Sequence, residues 1–167
     1  MLKAFLCVSV FLIAIAPISP CQADEVKGDN KPAESQAAPA ALPTLKDLPA
    51  KEVDGVKLAE IEANVVAYTN QERARYGLPP LKVDKELMTT AREHAAWMTE
   101  NQTMVHTSQP VAENIAMGQP SSGDVVQAWM NSSGHRANIL NAGHGRIGVA
   151  AFRTVGGVIY WCQQFRE

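Results

Sequence analysis

The spacing of apolar residues changes several times along this chain, and each change marks an element. Ala4 to Ala16 is an apolar run with Phe5, Leu6, Val8, Val10, Phe11, Leu12 and Ile13, closed by Pro17 and Pro20. From residue 24 to 57 no apolar period persists; charges of both signs alternate with Pro, Ala and Gly. Near Leu58 a helical period begins, with Leu58, Ile61, Val65, Tyr68 and Thr69 three or four apart and Gly77 as the stop. Pro79-Pro80 prevents the helix from resuming. Asp84 is a natural N-cap for a second helix with Leu87, Ala91, Ala95 and Met98 on one face. A third helix is predicted near Asp124, carrying Val125, Val126, Trp129 and Met130. Ser132-Ser133-Gly134 interrupts it before a short turn over His135–Leu140. The period then shortens to that of strands over Arg146–Arg153 and Val158–Phe165. Gly156-Gly157 between them predicts a hairpin with both glycines at positive φ. Glu113–Ala116 is a further short strand. Helices around a small, mainly antiparallel sheet make an α+β domain.

Composition refines this picture in two places. The net charge of −2 and pI near 6.1 provide no basic field for a nucleic-acid backbone, so nucleic acid is excluded as a partner. The N-terminal run follows Lys3, is shorter than the roughly 20 residues of a spanning helix, and ends at Cys21-Gln22-Ala23. Charged head, short apolar middle and small-residue exit describe a secretory signal over 1–23. No transmembrane span is expected after cleavage. Residues 24–57 cannot bury enough surface to offset chain entropy and are predicted to be a flexible tether to a domain at 58–167. Secretion, a periplasmic location or envelope association follows. Lipidation at Cys21 ranks lower, because Pro20 fits a lipoprotein box poorly. Cleavage leaves Cys162 as the single thiol, so no internal disulfide is expected.

Several ordered motifs resemble the CAP superfamily of cysteine-rich secretory, antigen-five and pathogenesis-related proteins, in its bacterial branch. They are Asn70–Leu81, Ala91–Met98, Val105–Ser108, Ala112–Ala116, Ala128–Leu140, Ile147–Val149 and Tyr160–Phe165; the run Gly134-His135-Arg136-Ala137-Asn138-Ile139-Leu140 is the most specific. The resemblance implies an α-β-α sandwich and a surface cleft lined by histidines and acidic residues. Matched position by position, His106 and His135 are the histidines and Glu113 is the glutamate of the Glu-Asn-Ile motif. Ser132 stands where the eukaryotic branch has a second glutamate. The short stretch Thr107–Ala112 implies an open, shallow groove.

Two imidazoles and a carboxylate suit a divalent metal such as Zn2+ with an open coordination position. They suit equally a structural role, in which Glu113 and the histidines hydrogen-bond to loops and to each other. The function expected is a binding module, most simply a monomer, for a lipid, a peptide or envelope material. The alternative is a metal-dependent hydrolase of peptide or envelope substrates, with His135 as base and Glu113 as its orienting group. Ser132 and Ser133 lack a nucleophile elbow, and Cys162 lies in a predicted strand as packing, so catalysis is the weaker reading. Among the remaining residues, Trp97, Trp129 and Trp161 are expected as core anchors, with Trp129 also able to line a groove for a sterol, acyl chain or peptide. Met98, Met117 and Met130 read as gap-fillers, His94 as a half-buried residue within the second helix, one step from its apolar stripe, and His144 as part of the turn before the last hairpin.

Overall fold

A computed structural model describes residues 50–167; the predicted signal over 1–23 and most of the predicted tether lie outside the described residues. Strand β1 (Ala50–Val53) pairs antiparallel with β2 (Val56–Ala59) around Asp54 and Gly55, at φ 51° and 75°. Two consecutive left-handed residues make the tight turn whose twist suits a hairpin. Regular structure is thus present ahead of residue 58, over residues whose composition predicts a tether. The reason is local: Asp54-Gly55 sets the turn, Asp54 Oδ2 accepts the Val83 N–H at 2.7 Å, and Leu58 is fully buried. Leu58 therefore belongs to a strand, and helix α1 spans Glu60–Arg75. It ends in a Schellman motif, with Gly77 N–H on the Ala74 carbonyl, Leu78 N–H on that of Arg73, and Gly77 at φ 70°.

After β3 (Lys82–Val83), Asp84 caps α2 (Lys85–Glu100) by accepting the Glu86 and Leu87 N–H groups at 3.0 Å each. The predicted stripe Leu87, Ala91, Ala95 and Met98 is buried. Strand β4 (Ala112–Met117) follows, then α3 (Ser122–Asn131) and α4 (Ser133–Ile139), broken apart at Ser132 as the Ser-Ser-Gly run predicts. Strands β5 (Arg146–Arg153) and β6 (Ile159–Arg166) complete the chain. The sheet order is β3-β5-β6-β4, antiparallel except for the β3–β5 pair.

Alternation along β4, β5 and β6 divides the core between the two faces of this sheet. Ile115, Ala150, Tyr160 and Cys162 pack with Ala91, Ala95 and Met98 of α2. Val149, Ala151, Trp161 and Phe165 face the other way, toward Val65 and Val66 of α1, Val125 and Trp129 of α3, and Ile139 of α4. This is the α-β-α layering of an α+β fold. The last hairpin departs from expectation: Gly157 N–H bonds the Thr154 carbonyl, and of the two glycines only Gly157 has positive φ, at 87°. A three-residue loop ending in one left-handed glycine does the work that a two-residue turn would need both glycines for.

Trp129 and Trp161 are core anchors, but Trp97 is 46% exposed, as is Met117. Trp97 lies off the buried stripe of α2, and Met117 ends an edge strand, so neither position has a layer to cover it. No helix among the described residues is long and apolar enough to cross a membrane.

Candidate functional site

Edge strand β4 presents its side chains to both faces of the sheet, and its two polar residues organise the site. Glu113 lies opposite Gln164, and Asn114 opposite Gln163, on β6. On the α2 face, Glu113 is buried and its carboxylate collects donors. Oε1 accepts from His106 Nδ1 and from the Thr107 N–H, both at 2.9 Å. Oε2 accepts from Gln164 Nε2 at 3.0 Å and from the Cys162 thiol at 3.4 Å. His94 Nε2 of α2 stands 3.8 Å from the same oxygen and bonds the Val105 carbonyl at 2.8 Å. Burial alone raises the pKa of such a carboxyl. The Gln164 amide, the Thr107 N–H, His106 and the His94 charge outweigh it and hold Glu113 below the ordinary carboxylate range. Burial, and then the Glu113 charge, push the Cys162 thiol well up, so it is a weak donor and not a nucleophile.

The opposite face is a neutral network. Asn114 Nδ2 donates to the His135 carbonyl and to Gln163 Oε1, both at 3.1 Å. Asn138 Nδ2 donates to Asn114 Oδ1 at 2.9 Å and to the Glu113 carbonyl at 3.2 Å, and Gln163 Nε2 donates to Thr69 Oγ1 at 2.8 Å. These bonds dock α4, and with it His135, against β4. Burial, and after it repulsion from His106 when that ring is protonated, hold the His135 imidazole below its ordinary range, which favours the neutral ring.

The predicted residues are thus distributed unequally. His106 and Glu113 are in contact. The His135 ring makes no hydrogen bond to either of them, and its polar link to β4 is made by its backbone carbonyl. Ser132 is the hinge between α3 and α4, and its hydroxyl makes no cap bond. Among the described residues no group of three His, Cys, Asp or Glu side chains is arranged to hold a metal ion. A carboxylate met by four donors is placed to orient His106. Because that carboxylate only accepts, the His106 proton sits on Nδ1, and Nε2 is left to an imidazole side chain that is 59% exposed.

Three participants escape a sequence reading of the site. Gln164 and Gln163 sit in a strand with nothing in their spacing to mark them, and His94 differs from a boundary histidine only by where the 101–111 loop passes. All three fall inside matching motifs, Tyr160–Phe165 and Ala91–Met98, that assign them no role, as Asn114 falls inside Ala112–Ala116 and Asn138 inside the run Gly134–Leu140.

Comparison with known proteins places this geometry. The Bacillus subtilis protein YkwD is 38% identical, over 62% of this chain and 46% of its own length. The chain therefore spans under half of that relative. An extracellular Bacillus anthracis protein containing an SCP domain is 27% identical with a TM-score of 0.56, covering 64% of this chain and 40% of that one. NaASP2, solved with Zn2+, shares the fold at 15% identity and a TM-score of 0.51, over 64% of this chain and 78% of its own. The family described as CAP, the cysteine-rich secretory protein family, matches residues 66–165. With that match running from α1 to the last strand, through both histidines and the Glu-Asn-Ile motif, the chain belongs to the CAP family.

Proposed function

We propose that this CAP domain is an extracellular binding module whose groove at the β4 edge offers the imidazoles of His106 and His135 to a ligand, with a divalent ion such as Zn2+ as the simplest occupant. The observation that carries the reading is the occupation of Glu113. Both its oxygens are engaged by internal donors, so it orients an imidazole and has no lone pair aimed outward for a metal or a water. Neutral imidazole nitrogens fit a zinc ion, and an acidic group behind a ligating histidine raises its basicity and fixes its tautomer. A bound ion would supply Lewis acidity. His106 and His135 would hold it, and Glu113 would keep the His106 lone pair directed at it. The zinc in NaASP2 supports the reading at the level of the fold, and the extracellular relative supports the location. The same exposed edge is open to a peptide, lipid or envelope ligand.

The test is calorimetric titration of zinc into the full chain. Saturable binding is expected, lost in His106→Ala and His135→Ala and weakened about 10- to 100-fold in Glu113→Gln. Binding that ignores both histidine substitutions, or none in the unaltered chain, overturns the metal reading. Turnover of peptide or ester substrates that disappears in both His135→Ala and Glu113→Ala would replace a binding module with a hydrolase.

A further inference from the structure

The segment Met104-Val105-His106 has little packing to hold it. Met104 is 50% and Val105 51% exposed. The backbone bonds after α2 reach only as far as Thr103, whose N–H bonds the Met98 carbonyl, and they resume at Val111. Yet a donor that is to meet a ligand must be held within fractions of an ångström. What fixes this stretch is a pair of polar clamps. One is Glu113, which accepts from His106 Nδ1 and the Thr107 N–H. The other is His94, whose Nε2 lies 2.8 Å from the Val105 carbonyl. A carbonyl only accepts, so that nitrogen carries the proton. The His94 side chain is 11% exposed, its ring is parallel to Trp97 within 9° at 6.0 Å, and its Nε2 stands 3.8 Å from Glu113 Oε2. It therefore sits against both the carboxylate and the loop that the carboxylate holds.

We infer that His94 is the positioning residue of the groove, its Nε2–H clamping the Val105 carbonyl so that His106 stays against Glu113 with one tautomer and one outward nitrogen. The inference rests on His106 being the outward donor of the proposed function, but it concerns the imidazole and not its occupant. Removing the donor frees the residue before His106, and the imidazole then exchanges between tautomers as its bond to Glu113 opens and closes. Gln is the conservative replacement, because its amide nitrogen reaches the place of Nε2. Phe keeps the stacked ring and removes the N–H.

The experiment is a long-range imidazole 1H–15N correlation spectrum of the full chain and of His94→Phe and His94→Gln, with zinc titrated into each. The unaltered chain and H94Q are expected to show His106 as a single Nδ1–H tautomer. In H94F its two nitrogen shifts are expected to converge toward an averaged position, and zinc affinity to fall about tenfold. A folded H94F with the same fixed tautomer and unchanged affinity shows His94 to be packing only and overturns the inference. So does a folded H94Q whose His106 is averaged, which also decides the matter if H94F does not fold. If the unaltered chain binds no zinc while the tautomer is fixed and lost in H94F, the positioning role stands and the metal reading fails.

Discussion

A buried carboxylate or guanidinium costs several kcal/mol unless the protein supplies what water supplied. Glu113 is met by donors on both oxygens. Arg73, fully buried on α1, is met by the carbonyls of Pro79, Ile139, Asn141 and His144, at 2.7 to 3.1 Å. Its fork ties the loop after α1 to the end of α4. His144 is the exception among these residues. Its ring stacks on Phe165 at 5.4 Å, with both nitrogens buried and unpartnered. Burial, and then the Arg73 charge, lower its pKa, partly countered by Glu167. Folding therefore favours the neutral ring. Its contribution, like that of His135, is complete above the unfolded pKa of about 6.5 and is lost as pH falls through the lower folded value. Glu113, also depressed, adds a loss at still lower pH. Replacing His144 by Phe is expected to leave stability at pH 7.5 unchanged or about 1 kcal/mol higher, and to flatten the decline below about pH 6.5. Urea titrations across that range check this; equal slopes for variant and parent would disprove it.

Elements here are pressed together at points that allow no side chain. Gly148 of β5 lies under the start of α2, where an added Cβ would meet the Leu87 carbonyl carbon at 2.2 Å and its oxygen at 2.3 Å. Backbone cannot step aside as a flexible side chain can. Gly148→Ala is expected to push α2 off the sheet and cost about 3 kcal/mol or more, at the upper end of overpacking penalties. A thermal melt within a degree or two of the parent would show that α2 shifts without loss. Glu62 works in the opposite sense, joining elements by charge. Fully buried on α1, it accepts the Ala59 N–H at 2.9 Å and two bonds from Arg92 of α2 at 2.8 and 2.6 Å. With Glu62, Thr69 and Arg73 all buried, the inward face of α1 carries three polar residues, while Tyr68, which fits the apolar period, is 43% exposed. Apolar spacing located α1 without telling which of its faces turns inward. On α2, whose buried face is apolar, spacing told both.

Across the whole molecule, the β1–β2 hairpin closes one end of the core, with Leu58 fully buried and Arg92 Nη2 on the Lys57 carbonyl at 3.0 Å. A chain beginning at Glu60 should therefore unfold about 2 to 4 kcal/mol more easily than one beginning at Ala50, since it loses a buried leucine and the hydrogen bonds around it. Equal urea midpoints would return residues 50–57 to the tether. The order of the four helices and of strands β4, β5 and β6, the caps at Asp84 and Gly77 and the break at Ser132 were set by the sequence alone, because apolar period, N-cap oxygen and left-handed glycine each act within a few residues. The family was legible too, through motifs that keep their order. Tertiary structure alone decided that Glu113 is saturated, that Gln164, Cys162 and His94 converge on it, that Asn114 and Asn138 dock α4, and that Trp97 faces solvent. Each of these depends on which strands become neighbours and on where a loop passes, and a hydrogen bond between residues dozens of positions apart leaves no periodic trace in either segment.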